Sequence, residues 1–139
     1  MMALASDHVW ARNGVVMTPS YKAMNLHGSE YHSFLLNTRV GDDKAYELLS
    51  GTNPLGSDEA LEIGLFDKVM GQSVPDFREQ MHENALLVLE EHLKKGGKDV
   101  MDYEKLVTAA QSRTDELDHM LLDFKNPEYH KSRKAFVYH

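Results

Sequence analysis

Cysteine is absent from this 139-residue sequence, which excludes disulfides, thiolate metal sites and a cysteine nucleophile. Long apolar runs are also absent, so no membrane-spanning segment is predicted. Positive charge is scarce, because 15 Lys and Arg face 22 Asp and Glu and leave a net charge of -7. A broad surface for nucleic acid or an anionic membrane is therefore not expected. The composition is compatible with a cytoplasmic protein, and that is our expectation.

The residues that are present suit a soluble globular chain, with 42% hydrophobic and 27% charged residues. The length predicts one domain at most. Residues 1–6 are apolar but too few for a signal peptide, and no basic segment precedes them.

Strand patterns are short and confined to the first half of the sequence. Residues 8–12 alternate weakly, Asn13-Gly14 is a strong hairpin signal, and residues 15–17 predict a returning strand. Residues 65–70 predict one more short strand. Two short strands do not form a stable sheet alone, so these strands need partners from outside the chain.

Helical spacing predicts most of the remaining chain. Three short helices are expected at 28–38, from Asp42 onward and at 58–63, the last with Ser57 as N-cap and Gly64 just after its end. Two long helices follow. Ser73 and Pro75 open the first, Gly96-Gly97 ends it, the second starts near 99 or 102 and stops at Asn126-Pro127, and a last helix spans 128–136. We expect Trp10 and the apolar stripe at 117–124 to be buried.

Two segments resemble the crotonase superfamily, which includes the enoyl-CoA hydratases and isomerases. Residues 46–51 (YELLSG) and 58–69 (DEALEIGLFDKV) are similar to its helix, loop and A-x-E-A-x-x-x-G-L-V-x-x-V pattern. Residues 3–7 resemble the end of its active-site helix. The resemblance implies the C-terminal portion only of the α/β crotonase (ClpP/crotonase) fold, mostly α with short β-strands. Residues 1–70 would be the end of the core and 71–139 the C-terminal helical region.

One branch of the superfamily fits better than the others. Residues 15–22 (VVMTPSYK), 28–31 (GSEY), 129–130 (YH) and 135–138 (AFVY) look like the crotonase-like half of carbon-monoxide-forming NiFe-hydrogenase maturation factors. This resemblance implies a segment of an enzyme that releases CO from formyl-CoA, a coenzyme A thioester, without a metal. It also implies Tyr21 and Glu30 as site residues. The two hydratase carboxylates would fall at Met1 and Tyr21, and the oxyanion-hole donors would lie upstream of Met1.

The chemistry of this pair is that of proton transfer. A buried Glu30 would have a raised pKa and act as base or acid, while Tyr21 could donate to a thioester or formyl oxygen. We expect the two side chains to face one cavity. His27 and His32 flank Glu30 and could line it. The alternative is that Glu30 only favours the dipole of a nearby helix N-terminus and that both histidines are structural.

Two further groups of residues invite a functional reading. Near the C-terminus, the resemblance implies that Lys131, Arg133 and Lys134 meet the phosphates of coenzyme A, although a solvated helix face has the same composition. Glu-x-x-His pairs at 79–82 and 116–119 match the spacing of di-iron helical bundles. Helical geometry turns Glu79 and His119 away from the apolar stripes, and no two further long helices are predicted, so no metal site is expected.

Three functions remain open at this point. The chain could be a segment of an acyl-CoA lyase that acts on formyl-CoA, an ordinary enoyl-CoA hydratase or isomerase, or a non-catalytic remnant or oligomerisation module. Its expected partners are an acyl-CoA molecule and either the missing upstream half of the fold or further copies of the chain.

Overall fold

Helices make up most of the computed structural model, which describes residues 2–96 and 103–138. The elements in chain order are a 3-10 helix Met2–Ala5, β1 Trp10–Arg12, β2 Val16–Met17, a 3-10 helix Lys22–Met24, α1 His32–Val40, α2 Asp42–Ser50, β3 Leu55–Gly56, α3 Ser57–Glu62, β4 Lys68–Met70, α4 Val74–Lys94, α5 Tyr103–Lys125 and α6 Pro127–Tyr138. A mostly helical chain with short strands is thereby confirmed.

The strands form two separate two-stranded ladders. β1 runs parallel to β4, with Trp10 opposite Lys68, and β2 runs antiparallel to β3. A turn does form at Asn13-Gly14, but the predicted hairpin is wrong because β1 and β2 do not pair. The backbone N–H of Asn13 donates to Met70 and Gly71, which draws β1 toward β4. The neighbouring N–H of Gly14 donates to Ser57 Oγ, 3.0 Å away, next to β3.

The local signals for the ends of helices predict the structure better than the hairpin signal does. Ser73 caps α4 by accepting a hydrogen bond from the N–H of Asp76 at 3.3 Å, and Pro75 lies in the first turn. Gly64 follows α3 with a positive φ of 79°. Ser57 is not the N-cap of α3, as predicted, but its first helical residue. Its side chain is buried and used by Gly14 instead.

The hydrophobic core lies where α1, α2 and α3 meet the first strand. Its buried members are Leu4, Val9, Ala11, Leu36, Ala45, Leu48, Leu55, Ala60, Leu65 and Phe66. Asp67 ties the edge of this core together, accepting from the N–H of Val9 at 2.6 Å and from Arg39 Nη1 at 2.7 Å. Burial alone would raise the pKa of Asp67, but these hydrogen bonds outweigh it and lower the pKa.

The long helices face the core differently from the prediction. α5 buries two acidic side chains, Glu116 and Asp123, while Leu117 and Phe124 are 43% and 46% exposed. The predicted burial of the apolar stripe is therefore wrong, because α5 meets the rest of the chain through polar contacts. Trp10 is only half-buried, beside a groove against α4. Within the described ranges, no helix has the length and apolar character needed to cross a membrane.

Candidate functional site

The candidate site is built on the segment that leaves β2 and enters α1. Ser20 fixes its start, since Ser20 Oγ donates to the carbonyl of Leu49 at 3.2 Å and accepts from the N–H of Lys22 at 3.0 Å. Tyr21 precedes a single turn of 3-10 helix, which ends at Asn25 in a left-handed conformation. The chain then runs through residues 27–31 to the start of α1.

Tyr21 and Glu30 meet in this segment. Tyr21 Oη donates to Glu30 Oε2 across 3.4 Å. Burial raises the pKa of Tyr21, and the charge and hydrogen bond of Glu30 raise it further. Tyr21 therefore keeps its proton at neutral pH and remains a donor. The structure brings the two residues together, while their catalytic role stays a prediction.

The backbone around this pair adopts uncommon conformations. Gly28 has a φ of +90°, and a Cβ on it would lie 2.9 Å from Tyr21 Cδ2 and 3.2 Å from His32 Cδ2. Tyr31, directly after Glu30, has a φ of 55°, a left-handed conformation that bulky residues rarely adopt. Residues held in such conformations need support from their surroundings.

A cavity of about 450 Å³ opens beside the segment. Its walls include Tyr21, three histidines and three acidic residues of α5, namely His27, His32, His119, Asp115, Glu116 and Asp123. The expectation that His27 and His32 line a pocket is confirmed. Tyr21 also lines it, whereas Glu30 contacts Tyr21 without being part of the wall. Glu30 is exposed to solvent, so the expectation of a buried Glu30 that faces the cavity is wrong.

His32 is the most buried polar residue of this wall, with 1% of its surface exposed. Its ring packs 5.2 Å from that of Tyr21, and neither ring nitrogen has a well-formed hydrogen bond within the described residues. Burial lowers the pKa of His32 to about 4, although Glu30 and the backbone of Pro19 oppose the shift. His32 is therefore neutral near pH 7 and faces the cavity with unused hydrogen-bonding capacity.

Three side chains of α5 form hydrogen bonds with the other side of this segment. Arg113 Nη1 donates to the carbonyl of Ser29. Glu116 Oε1 accepts from both the N–H and the Oγ of Ser33, each at 2.8 Å. Asp123 accepts from the N–H of His27 at 2.8 Å. Sequence reasoning missed this role for all three, although the spacing of three and seven residues places them on one side of a helix.

The Glu-x-x-His pair at 116–119 does not act as a pair. Glu116 bonds to Ser33, while His119 Nδ1 lies 2.7 Å from the carbonyl of Asp115 and its ring packs 4.8 Å from His27. Across residues 2–96 and 103–138, no three His, Asp or Glu side chains converge as metal ligands.

The three basic residues of the tail lie on α6, exposed to solvent. Lys131 Nζ is 3.6 Å from Glu128 Oε2, and the Arg133 guanidinium stacks 5.8 Å from the ring of Tyr129. Lys134 is exposed as well. None of the three lines the cavity, but α6 braces the segment after Tyr21 through a 2.8 Å bond from Asn25 Nδ2 to Ser132 Oγ. Their contact with coenzyme A remains a prediction.

Comparison with known proteins places this geometry in context. No family model matches the chain. The chain is 31% identical to the hydrogenase maturation factor HoxX of Bradyrhizobium diazoefficiens over 146 aligned residues, 99% of the chain and 25% of that protein. HypX from Aquifex aeolicus in complex with tetrahydrofolic acid superposes with a TM-score of 0.84 at 36% identity, over 96% of this chain and 25% of HypX.

An ordinary member of the superfamily is similar in fold alone. Enoyl-CoA hydratase from Bacillus halodurans gives a TM-score of 0.76 at 22% identity, over 96% of this chain and 54% of the hydratase. The chain spans about a quarter of the length of HoxX and HypX. It is a part of a crotonase-fold domain of the HypX and HoxX type.

Proposed function

We propose that this chain supplies the Tyr21–Glu30 half of a site that splits formyl-CoA into CO and coenzyme A during NiFe-hydrogenase maturation. The observation that carries the proposal is the contact between Tyr21 Oη and Glu30 Oε2 beside a cavity. The likeness to HypX and HoxX over almost the whole chain supports the assignment to this branch.

The proposed reaction moves one proton and breaks two bonds. The Glu30 carboxylate accepts the formyl hydrogen as a proton, the carbon–sulfur bond breaks with its electrons going to sulfur, and the carbonyl leaves as CO. The thiolate then receives a proton from Tyr21, and Tyr21 recovers one from Glu30. The balance is one formyl thioester converted to one CO and one free thiol. No oxidant, reductant or metal is needed.

Tyr21 suits this role because its raised pKa keeps the hydroxyl protonated at neutral pH, so that it is present as a donor when the thiolate leaves. The neutral ring of His32 lies against Tyr21 and adds no positive charge beside it.

Further parts of the proposal concern what surrounds the pair. Lys131, Arg133 and Lys134 would meet the phosphates of coenzyme A, for which exposed cations on α6 are suited. Backbone N–H donors for charge developing on the formyl oxygen would come from a segment outside these 139 residues, as the resemblance implies. We expect the complete site to work in the cytoplasm.

A chimera tests this function directly. The chain would replace the matching quarter of Aquifex HypX, and CO would be captured by a reduced haem protein and read by absorbance. Glu30→Gln removes the base without changing its size and should lower CO formation about 100-fold or more. Tyr21→Phe should lower it by a similar factor, since it removes the hydroxyl.

The control is Glu62→Gln, at the exposed end of α3. It should leave CO formation unchanged. A Glu30→Gln chimera that releases CO at the rate of the unsubstituted chimera would remove Glu30 from the mechanism.

A further inference from the structure

We infer that α5 is a positioning element whose polar face holds residues 27–33 in the conformation that presents Glu30. The polar face consists of Arg113, Glu116 and Asp123. The inference rests on the proposed function for its catalytic consequence, while the contacts themselves are features of the described residues.

The contacts hold the chain both before and after Glu30. Asp123 holds His27 by its backbone N–H at 2.8 Å and by its ring, with Nδ1 2.9 Å from Asp123 Oδ2. Arg113 holds the residues on either side of Glu30, since it donates to the carbonyl of Ser29 and lies 5.9 Å from the ring centre of Tyr31. The segment is thereby fixed before, beside and after the carboxylate.

Glu116 adds a further contact, because it caps the N-terminus of α1 although it belongs to another helix. Tyr31 occupies the N-cap position but provides no side-chain hydrogen bond. Glu116 takes over that task, accepting from the N–H of Ser33 at 2.8 Å. A carboxylate at a helix N-terminus also interacts favourably with the helix dipole. The first turn of α1 is thus locked to α5, eighty-three residues further along the chain.

The burial pattern argues that the polar face serves position as well as stability. Glu116 and Asp123 are 6% and 7% exposed, although carboxylates are costly to bury. The apolar Leu117 and Phe124 of the same helix remain largely exposed. The segment that Glu116 and Asp123 hold carries Tyr31 in a left-handed conformation, which a bulky residue keeps only with support from its surroundings.

Hydrogen exchange of the HypX chimera that carries these 139 residues tests the placement. Glu116→Gln and Arg113→Gln should raise the exchange rate of the amides in residues 27–33 about 10-fold, because each removes a charge-assisted hydrogen bond. The matched control is Asp118→Asn on the opposite, exposed side of α5, which should leave these amides unchanged. Exchange in Glu116→Gln no faster than in Asp118→Asn would overturn the inference.

Kinetics of the HypX chimera test the consequence. Glu116→Gln should lower kcat about 10- to 100-fold while KM changes less than about twofold, since misplacement of a reacting group acts on the chemical step. Leu65→Ala, a core change remote from the segment, serves as a stability control. If the two variants lower Tm equally and Glu116→Gln lowers kcat no more than Leu65→Ala does, Glu116 has only a structural role.

Two provisions keep the outcomes distinct. If Glu116→Gln does not fold, Ser33→Ala removes only the hydroxyl that donates to Glu116 and should raise exchange about threefold, because the bond from the Ser33 N–H to Glu116 remains. If the unsubstituted chimera releases no CO, the proposed function fails, whereas the exchange measurement still decides whether α5 positions the segment.

Discussion

At the scale of single residues, Gly28 carries a steric requirement of the site. A methyl group at this position would lie 2.9 Å from Tyr21 Cδ2, closer than carbon atoms normally approach. Gly28→Ala should therefore destabilise the fold by roughly 1–3 kcal/mol and displace Tyr21. Urea unfolding of the HypX chimera measures the free energy, and the control is Gly14→Ala.

Gly14 has a similar φ, 77°, but no atom lies within 4 Å of a Cβ built on it. The two substitutions share the backbone cost, so their difference isolates the contact with Tyr21. Equal destabilisation in both variants would contradict the packing described around Gly28.

His32 makes stability depend on pH. Its folded pKa of about 4 lies below the ordinary value of 6.5, so the unfolded chain binds more protons between those values. The contribution of His32 to the free energy of unfolding is thus fully present above pH 6.5. It falls as the pH drops toward 4, by about 1.4 kcal/mol per pH unit. His32→Gln should flatten this part of the stability profile, whereas His82→Gln on the exposed side of α4 should not. A profile of the same steepness in His32→Gln would show that another group titrates.

At the scale of elements, the sequence predicted what depends on neighbours along the chain. Ser73 and Pro75 mark the start of α4 because a helix N-terminus needs an acceptor and tolerates a missing N–H locally. Gly64 marks the end of α3 for a similarly local reason, its left-handed backbone.

Strand pairing could not be predicted in the same way. β1 pairs with β4, and its Trp10 lies opposite Lys68, fifty-eight residues away, so the local turn at Asn13-Gly14 did not decide the partner. The predicted orientation of α5 was wrong for a related reason. Periodicity located the apolar stripe that contains Leu117 but not the neighbour that α5 meets, and that neighbour presents the N–H and the hydroxyl of Ser33 to Glu116.

The candidate pair was found by a third route. Nothing in the spacing of Tyr21 and Glu30 predicts a contact, and the resemblance to the maturation factors singled them out. The contacts of Arg113 and Asp123 were not predicted, because they reach residues 84 and 96 positions away and a helix face with mixed charge is usually solvated.

At the scale of the whole molecule, large apolar side chains on the three C-terminal helices remain exposed. The strongest cases are Leu87 and Leu93 of α4, Leu121 and Leu122 of α5, and Phe136 and Tyr138 of α6. The described strands add two ladders of only two strands each. Exposed apolar surface of this extent usually binds a partner or drives association.

We therefore predict that the 139-residue chain alone is oligomeric, aggregated or only partly folded, and that it has no measurable turnover of formyl-CoA or crotonyl-CoA. Gel filtration with light scattering measures the association, and release of free thiol measures turnover. Leu121→Lys combined with Leu122→Lys should shift the chain toward smaller species, because these residues are 57% and 65% exposed. Gln111→Lys is the control for added charge on the same helix.

The turnover half of this prediction follows from electrostatics. Loss of one preorganised N–H donor to an oxyanion typically lowers the rate about 100-fold or more, and the resemblance puts both donors outside this chain. Tyr21 and Glu30 alone would then move a proton without stabilising the charge that its removal creates. A monodisperse monomer that cleaves either thioester would mean that these 139 residues contain every group the reaction needs, and that the exposed apolar faces have another purpose.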